Sequence, residues 1–242
     1  METDIAEIIE LRDTVQFLKI MQQIFEERVG SKPMFRITGT PTDLGAVSAN
    51  LNSPELVSIL EHPPTRSGGW TVRPLPPLRR NVLGFESDRI DYHHLKFIRN
   101  GHLEFWTLID SHFCWRQDEQ SFKQHPRLYP YPVVEYPLSF CRLYRQLVKF
   151  LNINSPIVFQ VQYVNVKGVI LLPDRPESEG FIAPMESVKP LDTNRLVLPK
   201  VTVPNDFDPD PTALELVQDV YFQFGYSQRH IPFFDNTGHS EL

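Results

Sequence analysis

Along residues 4–29, apolar side chains recur at helical spacing. Ile8, Leu11, Val15, Leu18 and Phe25 follow a heptad seam, which Ile5, Met21 and Ile24 widen. The pattern predicts one long helix over 4–29, capped by Asp4 with Glu7 in a capping-box position and stopped by Gly30. A stripe that broad must be covered, by the chain's own sheet or by another molecule. The alternation at 34–37 predicts a short strand, and 53–60 a short helix with Ser53 as cap and Pro54 at its first position. Around Asn100-Gly101 two runs rich in β-formers flank residues that tolerate positive φ, which predicts a hairpin with a two-residue turn. In that register Ile98 faces Leu103, Phe97 faces Glu104 and Leu95 faces Trp106. Both faces are then apolar, so the hairpin belongs in the middle of a sheet.

Residues 132–151 predict a second helix beginning near Pro137, with Phe140, Tyr144, Leu147 and Leu151 on its buried stripe. Residues 156–165 and 168–172 alternate as strands joined by a turn at 165–168, and 195–198 reads as a short strand. Asp210-Pro211 opens a final helix with Leu214, Val217, Tyr221 and Phe224 on one face, and Gly225 ends it. The tail beyond carries Phe233 and Phe234. These elements predict an α+β fold: a mixed, mainly antiparallel sheet with a central hairpin, covered by helices. Residues 1–30 form a docking helix, and 31–242 form a single mixed domain with proline-rich connections.

Composition sharpens this picture in two places. The 22 prolines against 11 glycines predict long irregular connections, chiefly at 62–78, where Arg66, Gly68, Gly69 and Trp70 sit among prolines. The net charge of −6 is uneven: residues 1–30 carry −4, residues 60–173 carry +5 and residues 174–242 carry −7. The middle therefore faces either its own acidic ends or something anionic. Arg66, Arg73, Arg79, Arg80, Arg89, Lys96 and Arg99, interleaved with Trp70, Phe85, Phe97 and Trp106, make nucleic acid a candidate partner through backbone charge contacts and stacking. The two cysteines, Cys114 and Cys141, lie 27 residues apart with no chelating neighbour, which predicts buried thiols in a reducing compartment. The start of the chain does not read as a signal peptide, and no run approaches the ~18 apolar residues of a membrane helix, so a cytoplasmic location is expected.

Candidate chemistry is sparse. No Gly-Lys-Ser or Gly-Lys-Thr occurs, and Trp70 follows the one glycine pair, Gly68-Gly69, where a phosphate loop would start a helix. None of the eight lysines has an acidic residue two positions before it, the spacing many metal-dependent nucleases use. Asp88, Asp91, Glu104 and Asp110 cluster near the hairpin, and Asp91 opposite Asp110 would suit a divalent cation or a shared proton. His93 and His94 are neighbours on a strand and point to opposite faces, so they do not chelate together. His112 and Cys114 share a spacing that a Cys-His nucleophile pair uses, but Phe113 and Trp115 surround them with apolar bulk. No metal site, cofactor or catalytic residue is expected.

Several segments resemble the region that follows the ATP-binding domain of bacterial Schlafen/AlbA-type divergent ATP-binding proteins, often described as transcriptional regulators. They are His62-Pro63-Pro64 through Gly69-Trp70, HHLKFIRNGHLEFW, VVEYPLSFCRLYRQLV from Val133, SPIVFQVQYVNVKGVIL from Ser155, and LELVQDVYFQFGYS, together covering roughly residues 55–228. In those relatives the nucleotide site lies in the preceding domain. Here the predicted helix over 4–29 stands in that place, so no ATP-binding residue carries over; whether another chain supplies that domain is open. The resemblance implies a regulatory or anti-phage setting. The function expected is that of a non-catalytic subunit docking a protein through Ile8, Leu11, Val15, Leu18, Phe25 and Trp70. A nucleic-acid-binding regulator is the alternative, and a divergent metal-dependent nuclease a third reading.

Overall fold

The computed structural model of the protein describes residues 11, 13–65, 68–74, 78–87, 93–113, 119–172, 189–235 and 238–240, without the side chains of Ser111, His112, Glu119 and Ser121. In chain order the elements are α1 (Thr14–Val29), β1 (Met34–Pro41), α2 (Pro54–Glu61), β2 (Leu78–Arg80), β3 (Gly84–Ser87), β4 (His93–Ile98), β5 (Leu103–Leu108), α3 (Ile109–His112), α4 (Glu119–Gln124), β6 (Arg127–Leu128), α5 (Pro130–Leu151), β7 (Ile157–Val164), β8 (Ile170–Leu171), β9 (Arg195–Val197), β10 (Val201–Val203) and α6 (Pro209–Gln223). The α+β expectation holds. An eight-stranded antiparallel sheet runs β10-β7-β1-β5-β4-β3-β2, with β9 also on β7, while β6 and β8 form a separate parallel pair.

The hairpin β4–β5 is central, but its register differs from the sequence expectation by one residue. Phe97 faces Leu103, Lys96 faces Glu104 and Leu95 faces Phe105. The loop has three residues instead of two. Gly101 N–H donates to the Ile98 carbonyl and Ile98 N–H to the His102 carbonyl, with Gly101 at φ 88°. A type I turn followed by a left-handed glycine is the three-residue solution. One residue of slip exchanges the faces of a strand, so Leu95, Phe97, Leu103 and Phe105 share the main core. Ile98, Trp106, Glu104 and Lys96 share the other face. The expected turn at 165–168 also forms, with Asn165 at φ 58° and Gly168 at φ 82°, yet β8 leaves β7 and pairs with β6.

The two faces of the sheet differ in chemistry. Phe35, Ile37, Leu95, Phe97, Leu103, Phe105, Phe159, Val161 and Tyr163 point into one continuous core closed by α2, α5 and α6. α5 starts seven residues earlier than Pro137 predicts. Pro130 and Pro132 occupy its first turn, where backbone N–H groups have no helical acceptor anyway, and Pro137 is built into the helix. α6 is capped by Asp208 and buries Leu214, Val217 and Tyr221 as expected.

Among the described residues, α1 is the one helix that lies across the second face. Its described N-cap is Asp13, whose carboxylate accepts from the N–H groups of Val15 and Gln16; Asp4, Ile5, Glu7 and Ile8 lie outside the described residues. The buried stripe is Phe17, Met21, Phe25 and Val29, rotated from the expected seam, and Val15 is 58% exposed. Phe17 and Met21 pack with Leu44, Leu83 and Ile98, while Phe25 and Val29 pack with Met34, Trp106 and Val164. The helix is thus docked on its own sheet through two small apolar clusters.

Candidate functional site: the cleft between α1 and the sheet edge

Between those clusters the sheet face is polar. Arg36, Thr38 and Thr40 alternate with Phe35, Ile37 and Gly39 along β1, and Gln160 and Gln162 alternate with Phe159, Val161 and Tyr163 along β7. Registered pairing assembles them into cross-strand rows. Gln162, Arg36, Trp106 and His94 form one, and Gln160, Thr38, Glu104, Lys96 and Glu86 the next.

Where α1 covers these rows, the charges are buried and organised. The Arg36 guanidinium, 3% exposed, donates to Glu104 at 2.9 Å, to Gln22 Oε1 and to the Met21 carbonyl, and lies 4.6 Å from the centre of the Phe25 ring. His102 Nε2 lies 3.3 Å from the same Glu104 oxygen, and Nδ1 2.8 Å from Thr40 Oγ1. Burial would raise the Glu104 pKa, but the Arg36 charge and the His102 contact overcome it and hold the carboxyl well below its usual range. Burial lowers the His102 pKa. A neutral ring fits both contacts: Nε2–H donates to Glu104, and Nδ1 accepts from the Thr40 hydroxyl. His94 stacks on Trp106 at 4.1 Å; burial, with Arg28 and Lys96 nearby, pushes its pKa down to about 3. Lys96 is 5% exposed, and burial lowers its pKa despite the Glu104 charge.

Where α1 does not reach the floor, a cleft of 470 Å³ opens between the helix and the β7 edge. Its floor is Arg36, Thr38, Gln160 and Gln162; one wall is Lys19, Gln22, Gln23 and Glu26 of α1, and the other is Arg195, Val197 and Lys200. Gln162 Nε2 donates to Gln22 Oε1 at 2.7 Å and to Gln160 Oε1 at 3.3 Å. Gln162 is 3% exposed, yet its own amide oxygen has no partner among the described residues; the same is true of Arg36 Nε. Such orphaned buried polar atoms are uncommon and call for an explanation. An Arg195–Glu26 ion pair straps the two walls together and separates the cleft from a smaller 170 Å³ cavity beside Phe25, Val164 and Asn165.

The residues singled out in the sequence are dispersed by the fold. Phe25 is fully buried against Trp106 and Arg36, and Leu11 and Leu18 are half-buried against Phe17 and its neighbours. Trp70 is half-buried against the main core, its backbone N–H donating to the Glu135 carboxylate. Val15 alone of the described docking candidates is exposed, and it stands on the rim of the cleft. Among the basic residues, Arg73, Arg79 and Arg80 are exposed, with Arg79 and Arg80 adjacent on edge strand β2 and therefore on opposite faces. Arg99 reaches Ser48 from the hairpin loop, and Lys96 is buried beneath α1, so the described members do not form one surface. Arg66, Arg89, Asp88, Asp91 and Cys114 lie outside the described residues, as does the His112 side chain. Glu104 is committed to Arg36 and His102, and among the described residues no group of three or more His, Cys, Asp or Glu is placed to hold a metal. Cys141 is fully buried, and burial pushes its thiol pKa up. Phe233 packs on Tyr131 at 5.2 Å, and Phe234 bridges to Ser240, so this part of the tail is held locally. No helix among the described residues is long and apolar enough to cross a membrane.

Of the residues that line the cleft, Val15 and Leu18 were among the sequence candidates; those of its floor and of its β9–β10 wall were not. The alternation of Gln160 and Gln162 with apolar residues was legible; the pairing of β7 with β1, and α1 over both, was not. Comparisons of the chain with protein-family models, with curated proteins and with solved structures give no match.

Proposed function

We propose that the chain is a non-catalytic interaction subunit of a multi-protein complex, and that its docking face is the rim of the α1–β9 cleft. The observation that carries this reading is a pair of exposed aliphatic side chains that line the same cleft, Val15 of α1 at 58% and Val197 of β9 at 45% exposure. Large apolar side chains are scattered singly on most surfaces, but two lining one concave site give a partner an anchor flanked by polar groups. The resemblance to Schlafen/AlbA-type chains supports a bacterial regulatory or anti-phage setting.

The test is purification of the tagged chain from its source cell, followed by reconstitution with each co-purifying protein. Val15→Asp with Val197→Asp changes only exposed positions, so the variant should melt within about 2 °C of wild type. It should also lose the reconstituted partner by roughly tenfold or more in affinity. A partner retained unchanged by that variant, or no protein that binds the purified chain, sinks the reading.

A further inference from the structure

The walls of the cleft carry an arrangement of charge that partner docking does not require. Lys19 and Lys200 line it from opposite sides, and neither has an ion pair or hydrogen bond to any described residue. Arg36 and Arg195 add two further guanidinium groups, paired with Glu104 and Glu26. The chain as a whole is acidic at −6, so this concentration of cations is local.

How Lys200 reaches the cleft shows that the arrangement is built by the backbone. β9 and β10 are two halves of one edge strand along β7. Val197 faces Gln162, while Val201 faces Phe159, so four steps on the edge strand match three on β7. One residue is therefore extra, and the span Leu198–Lys200 is a β-bulge. In an uninterrupted strand Arg195 and Lys200, five positions apart, would project to opposite faces. The bulge restores the parity: Leu196, Leu198 and Val201 are buried, whereas Arg195, Val197 and Lys200 all line the cleft. The same bulge, with Pro199 lacking an N–H, blunts the edge against pairing with another strand. An extended segment adding to the sheet is thus disfavoured, and an occupant lying in the cleft itself is favoured.

Its volume of 470 Å³ is that of a small-molecule site. Its floor is lined by the Thr38 and Gln160 side chains as hydrogen-bonding groups, with the partnerless Gln162 amide oxygen buried beside them. We propose that this cleft binds a small polar molecule bearing an anionic group, a phosphate or a carboxylate. Lys19 and Lys200 engage the anion, and the Gln162 amide accepts a hydrogen bond from the body of the ligand. The site lies beneath the docking rim proposed above but is measured on the chain alone, so either reading can fail without the other.

The experiment is isothermal titration calorimetry on the purified full chain at low ionic strength, with inorganic phosphate, ribose 5-phosphate, adenosine monophosphate, citrate and glutamate as probes. At least one probe should bind with a Kd below about 1 mM, and whether it is a phosphate or a carboxylate decides the anion. Lys19→Gln with Lys200→Gln, both exposed, should weaken that binding at least about tenfold while leaving the melting temperature of the free chain unchanged. Gln162→Leu should weaken the organic probes and leave inorganic phosphate unaffected, which separates recognition of the body from attraction of the charge. No probe bound below about 1 mM, or a double lysine variant that binds as wild type does, overturns the proposal.

Discussion

His94 and Glu104 occupy the same buried layer and respond to acid in different ways. The His94 ring is fully buried on Trp106, with its folded pKa near 3 against an ordinary 6.5. Between those values the unfolded chain binds a proton that the folded chain refuses. Stability is therefore fully present above pH 6.5 and falls as the pH is lowered toward 3, by up to about 1.4 kcal/mol per pH unit. His94→Phe keeps the apolar contact and removes the proton, so its acid slope over this window should be shallower by about one proton in urea melts across pH. Coincident slopes would show that the ring titrates normally. Glu104 has a depressed pKa, so its contribution is complete above the ordinary carboxylate range and is lost progressively as the pH falls from that range through the depressed value. Its removal should be costly at neutral pH. Glu104→Gln leaves the Arg36 guanidinium buried without its counter-charge, for which a loss of about 3–5 kcal/mol is expected in chemical denaturation. A loss below about 1 kcal/mol would mean that solvent reaches Arg36 in the native state.

At the scale of elements, what could be read from the sequence depended on whether local chemistry or pairing decided the outcome. α2 begins as Ser53 and Pro54 indicate, because a cap is satisfied within one turn of chain, whereas α6 begins two residues before the expected Asp210-Pro211, at the equivalent pair Asp208-Pro209. The hairpin was legible as an element but not in register: Asn100-Gly101 suits both a two-residue and a three-residue loop, and packing on both faces chose the longer one. α5 was read short because Pro137 looks like a start, whereas in place it is tolerated inside a helix anchored by Val133, Phe140, Tyr144 and Leu147. The cleft was the least legible feature. It needs β7 beside β1, α1 across both, and a single extra residue in the β9–β10 edge, and none of those is encoded by a local motif. The basic middle shows the converse: residues clustered in sequence are dispersed once Lys96 turns beneath α1 while Arg73, Arg79 and Arg80 remain at the surface.

On the scale of the whole molecule, one sheet is held from two sides by unequal means. The face under α2, α5 and α6 belongs to a continuous apolar core, where burial is worth about 25 cal/mol per Å². The face under α1 has two apolar clusters separated by the rows containing Arg36, Gln162, Glu104 and Lys96, whose desolvation offsets part of what Phe17, Met21 and Phe25 contribute. Elements with less net burial open at lower free energy than the body of a fold. Native-state hydrogen exchange in low denaturant should therefore show α1 amides exchanging through a partial opening, with less protection than the amides of β1, β5 and β7. Phe25→Ala, which removes the ring seated on Trp106 and Arg36, should lower the protection of α1 further and leave the protection gap among those strands unchanged. If α1 and the central strands instead exchange at one common free energy in both proteins, the polar rows contribute as much net stability as the apolar core, and α1 is an inseparable part of the cooperative unit.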